Sequence, residues 1–115
     1  MGEMIVYDGG PYWKPSRKVV ASANMTAAAD ITDAPAGGQK ILADDILISS
    51  DTAMRFDVVM ETSGNVLASV YVPANGSAQI TLRSGLKGDL ADKKLQGKAS
   101  VVGNVSVMTC CHSEA

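Results

Sequence analysis

"MRFDVVMETSGNVLASVYVPANGSAQITLR", residues 54–83, decides the fold. In its first eight residues Met54, Phe56, Val58 and Met60 share one parity, and Arg55, Asp57, Val59 and Glu61 share the other. Successive side chains of a strand point to opposite faces, so this is a half-buried strand with an apolar inner face and a mostly charged outer one. "TSGN" turns the chain, and Val66, Ala68, Val70 and Val72 then alternate with Leu67, Ser69 and Tyr71 in a second strand. "PANG" turns it again before a third strand, whose inward residues are expected to be Ala78, Ile80 and Leu82. Pro73 stands at a strand end, where the missing backbone donor costs nothing. Proline pre-sets φ and glycine accepts a positive φ, so 73–76 is predicted to be a hairpin turn with Gly76 in the left-handed position. Its one polar side chain, Asn75, is too little for a ligand loop.

The neighbouring segments extend the same rhythm. In "KILADDILISS", residues 40–50, Ile41, Ala43 and Ile46 do not keep one parity, which predicts a bulge near Asp44 and Asp45. "RKVVASAN", residues 17–24, is a first strand, and the small residues after it form a weak strand at best. "SGLKGDLADKKLQGKAS", residues 84–100, breaks the pattern, with Leu86, Leu90 and Leu95 scattered among charges and glycines. Asp89 to Gln96 has an acidic start and a basic end and fits two helical turns; otherwise the segment is an ordered surface connection. Finally "KASVVGNVSVMTC" places Ala99, Val101, Gly103, Val105 and Val107 on one face of a last strand. Segments of this number, about seven or eight, need two sheets to bury their apolar faces. The expected fold is all-β: a single antiparallel β-sandwich, with jelly-roll wiring among the connectivities open to it and at most one short helix.

The chain of 115 residues is the size of one domain. Its expected organisation is an irregular arm over 1–16, the sandwich over 17–109 and a C-terminal tail over 110–115. Apolar residues make up 46% and charged residues 19%, enough for a core and too few charges for a disordered chain. The net charge of −2 is spread without a basic stripe, which argues against a grip on nucleic acid or a membrane surface. "MGEMIVYDGG" has an acidic residue where a secretory signal needs a basic one, and no run approaches a membrane span, so synthesis in the cytosol is expected. The sequons at Asn24, Asn75 and Asn104 then belong to turn and strand chemistry rather than to glycans.

Catalytic and metal chemistry find little material. Cys110 and Cys111 are adjacent and would point to opposite faces of a strand, so both are expected to be free thiols. With His112 they offer three ligands, short of the four of a structural zinc site, and no metal or other cofactor is expected. The sole histidine, His112, lies close to the C-terminus with no nucleophile arranged beside it in sequence. Asp44 and Asp45 would point apart on a regular strand. No glycine-rich phosphate loop is present. The chain is therefore expected not to be an enzyme.

Aromatic residues are scarce: one Trp, three Tyr and one Phe. Tyr7, Tyr12 and Trp13 nevertheless all fall in "MGEMIVYDGGPYWKPS", which Gly9, Gly10, Pro11 and Pro15 keep out of regular structure. Aromatic anchors bury large areas at low rotamer cost, so these three are the candidate partner-binding residues. The alternative is an arm that covers an edge of its own sandwich.

Residues 40–108, with "ILISSDTAMRF", the "PANG" corner and the closing "VVGNVSV", resemble small β-sandwich virion proteins of tailed bacteriophages. The resemblance rests on the spacing of strands and turns, and the arm departs from a bare sandwich. It implies a non-enzymatic structural protein of the virion: a capsid decoration or cement protein that binds the major capsid protein lattice, often as a homotrimer. The alternatives are a small tail or neck component, or a lectin-like carbohydrate-binding module using Tyr12, Trp13, Asp44 and Asp45.

Overall fold

The computed structural model describes residues 16–114. Eight strands lie among the described residues, and no helix does: β1 (Ser16–Ser22), β2 (Ala29–Asp30), β3 (Lys40–Ser50), β4 (Met54–Met60), β5 (Val66–Val72), β6 (Gly76–Lys87), β7 (Leu95–Ala99) and β8 (Val105–Glu114). They form two four-stranded sheets in the orders β1-β8-β3-β6 and β2-β7-β4-β5. Every pairing is antiparallel. This is the β-sandwich expected from the alternation, and the two interlocked strand orders are jelly-roll wiring.

β4 shows why the sequence folds this way. Met54, Phe56, Val58 and Met60 are all buried between the sheets, and Arg55 is exposed on the outer face. Asp57 is also buried although it lies on that outer face. The Arg55 Nε and Nη2 donate to its two carboxylate oxygens at 3.2 and 3.3 Å, and the Ser69 hydroxyl donates at 2.6 Å. From the other sheet Ile46, Ile48 and Val107 meet the β4 side chains in one core, with Met25, Ile31 and Leu95 closing it. β2 is only two residues long, and the gap beside it is filled by two buried threonines. The Thr109 hydroxyl donates to the Ile31 carbonyl at 3.0 Å, and Thr32 Oγ1 accepts from the Leu95 amide at 3.0 Å. Buried hydroxyls satisfied in this way cost the core little.

Several expectations are corrected. "PANG" is not a hairpin turn: β5 and β6 belong to different sheets, and 73–75 carries the chain from one to the other. The only consecutive strands that pair with each other among those described are β4 and β5, joined through the "TSGN" turn. The positive φ at the corner falls on Asn75 (φ 54), not on Gly76. Gly76 is required for a different reason, since a Cβ there would lie 2.6 Å from Pro73 Cγ. Leu82 faces solvent at 50% exposure, because Ile80 and Thr81 pair with Ile46 and Asp45 while the next paired residue is Leu86. Residues 82–85 thus bulge out opposite Asp44, at the place where the bulge in β3 was expected.

Residues 89–96 hold no helix: Leu95–Ala99 is β7, a strand inside sheet two. Inward-facing Gly97 is what makes room for Phe56, since a Cβ there would fall on the Phe56 ring and 3.2 Å from Met25 Sδ. The expected single last strand is broken at 100–104, where the chain again changes sheets. Residues 110–114, expected as a tail, continue β8 as far as Glu114.

Candidate functional site

The bulge at Asp44 brings two carboxylates to the outer face of sheet one instead of pointing them apart as a regular strand would. Asp44 Oδ2 lies 2.9 Å from His112 Nδ1. Asp45 Oδ1 accepts from the Thr81 hydroxyl at 2.7 Å, and Asp45 pairs in register with Cys110. Cys110 and His112 therefore share one face of β8. Cys111 points the other way into the core, as adjacency in a strand requires. Burial pushes the Cys111 thiol up to about 11, with smaller contributions from Asp33, Asp44 and Cys110. Among the described residues no three His, Cys, Asp or Glu side chains are grouped so as to hold a metal ion. What this arrangement does chemically is tie β3 to β8 across the bulge.

A second feature lies at the end of the sandwich where Ser22, Ser50, Gly76 and Val105 meet in register. The turns 51–53, 73–75 and 100–104 crowd together there. The Ser100 hydroxyl accepts from the Arg55 amide at 2.9 Å, and the Asp51 carboxylate accepts from the Asn104 amide and side chain at 3.0 and 2.8 Å. The bond from the Thr52 hydroxyl first, and then those from Asn104, hold the Asp51 carboxyl below its usual range. Between the turns runs a shallow groove of ≈ 600 Å³ lined by Ala53, Arg55, Tyr71, Pro73 and Ser100. Tyr71 is 79% exposed, and Val101 and Val102, in the turn that carries Ser100, are 41% and 63% exposed. These three stand at this end of the sandwich, while Val19, Val66 and Leu82 are exposed elsewhere on it.

Tyr7, Tyr12 and Trp13 lie outside the described residues. Of the sugar-site candidates, Asp44 and Asp45 are engaged by His112 and Thr81. The apolar end was only half legible in the sequence. Tyr71 already stood in the outward parity of its strand, whereas "VVGN" was read as strand although Gly103 and Asn104 mark a turn.

No family model matches the chain, and no curated protein matches it. Among solved structures it is similar to a chain of the Bacillus endospore appendages, described as forming "a novel family of disulfide-linked pili". The identity is 16%, the match covers 89% of this chain and 88% of that one, and the TM-score is 0.55. At that identity the likeness is one of fold.

Proposed function

We propose that the chain is a non-enzymatic structural subunit whose work is to join a larger protein assembly. The observation that carries this is the apolar end, where Tyr71, Val101 and Val102 stand uncovered beside the groove. An exposed aromatic ring beside a groove, with two exposed valines in the adjoining turn, fits a protein contact. The concentration of Tyr7, Tyr12 and Trp13 in the N-terminal segment supplies a second set of anchors. The fold suits the role, since jelly rolls are recurrent building units of protein shells. The pilus chain to which this one is similar is a structural protein too.

Decoration of a phage capsid, implied by the sequence resemblance, is one form of this function, and self-association into a polymer is another. The apolar end favours self-association, because its counterpart, an aromatic segment, is carried by the same chain. In the pilus appendages the subunits are disulfide-linked. Here the two cysteines are Cys110 and Cys111, so any such link would have to leave from the half-buried Cys110. Negative-stain electron microscopy of the purified full chain tests the proposal. Ordered polymers formed without any other protein are expected. A chain that stays dispersed alone but coats phage capsids would move the function to decoration, and a chain that does neither would end the structural proposal.

A further inference from the structure

We propose that the groove at the apolar end receives the Tyr12–Trp13 segment of a second copy of this chain, so that subunits join head to tail. This rests on the structural-subunit function above and names its contact. The two partners sit at opposite ends of the molecule. β1 begins at Ser16, paired with Cys111, and ends at Ser22, paired with Val105 at the groove's end. The first fifteen residues therefore join the sandwich at the end away from the groove.

Chain geometry decides between a molecule's own groove and a neighbour's. From Ser16 to Ser22 the strand rises about 20 Å. Trp13 is three residues before Ser16, so its Cα lies within about 11 Å of the Ser16 Cα however the segment runs. Trp13 thus falls short of its own groove, so a Trp13 seated there comes from another molecule. Such a contact uses two different surfaces, leaves one arm and one groove free at the ends of each string, and so propagates as an open chain.

The groove suits an indole. The Tyr71 ring is presented from β5 directly across from Arg55 on β4. The Arg55 guanidinium is held by Asp57 while half of its side chain stays exposed. A cation beside an aromatic ring, walled by Ala53 and Pro73, offers a second ring both stacking and cation–π contact.

Trp13 is the sole tryptophan, so its fluorescence reports the contact directly. In full-length protein the emission is expected to shift to shorter wavelength as concentration rises, in step with light scattering. Tyr71→Ser should raise the concentration needed for assembly by about tenfold or more and leave the emission at long wavelength, with the melting temperature kept. Ala53→Glu, which fills the groove without touching Tyr71, should do the same. Trp13→Ala should also block assembly, yet an equal mixture of Trp13→Ala and Tyr71→Ser should give one-to-one dimers, since one supplies a groove and the other an arm. Groove variants that assemble as the wild type does, with Trp13 emission shifted, would overturn this contact and leave the structural function standing. Emission already shifted in dilute monomer would place the arm on its own molecule and overturn it as well. A wild-type chain that never assembles would overturn both.

Discussion

Gly97 carries more of the fold than its lack of a side chain implies. It faces inward on β7 at the point where Phe56, Ile31 and Met25 converge, and a methyl group there has nowhere to go. Gly97→Ala should destabilise the protein by about 1–3 kcal/mol through overpacking, measured by urea denaturation. A neutral result would mean that the Phe56 ring moves aside freely. At the corner between the sheets, Gly76→Ala should cost about 1 kcal/mol or more because the new methyl meets the Pro73 ring, and Asn75, not Gly76, supplies the left-handed residue. The two cysteines should differ chemically despite being neighbours. Cys111 is buried with its thiol raised to about 11, so at neutral pH it is almost wholly protonated and out of reach. Limited alkylation followed by mass spectrometry should modify Cys110 first, and Cys111 only after denaturation. Equal rates at both sulfurs would contradict the burial.

The strands were legible where the inner face is bulky. β4 shows its parity in Met54, Phe56, Val58 and Met60, and the β3 bulge shows itself in the broken parity around Asp44. β7 was hidden because its inward row is Leu95, Gly97 and Ala99, and a glycine that makes space for a ring looks the same in sequence as one that breaks a strand. Sheet membership was hidden for another reason. A four-residue corner such as 73–76 closes a hairpin or crosses between sheets with the same Pro, Asn and Gly, and only the distant partners of β5 and β6 decide which. The smallest strand, β2, depends on side chains more than on its ladder. Asp30 accepts from Gln96 Nε2 at 2.8 Å and from Lys94 Nζ at 3.0 Å, and these bonds, Gln96 first, lower its carboxyl below the ordinary 3.8. A depressed carboxyl stabilises the native state above its unfolded pKa, and that contribution is lost as pH falls through the lower folded value. Asp30→Asn should therefore be less stable than wild type at about pH 6, and the gap should close as the medium is taken below the folded pKa of Asp30. A gap that persists unchanged in acid would assign the loss to packing rather than to charge.

At the scale of the whole molecule, a closed jelly-roll core with satisfied buried threonines stands beside an end that leaves Tyr71, Val101 and Val102 uncovered. The inner architecture buries its apolar residues between the two sheets, and the proposed contact would cover the exposed end. The candidate site was less legible than the fold because it is built from three turns far apart in sequence, 51–53, 73–75 and 100–104, which only the crossing between sheets brings together. The aromatic segment proposed to meet it was visible at once, since Tyr7, Tyr12 and Trp13 crowd into the first thirteen residues. Sedimentation velocity of the purified full-length chain, over a wide range of concentrations and with no other protein present, tests the central claim most directly. A structural subunit of the kind proposed here should pass from monomer to species that lengthen progressively with concentration. A single monomeric boundary at every concentration would contradict it.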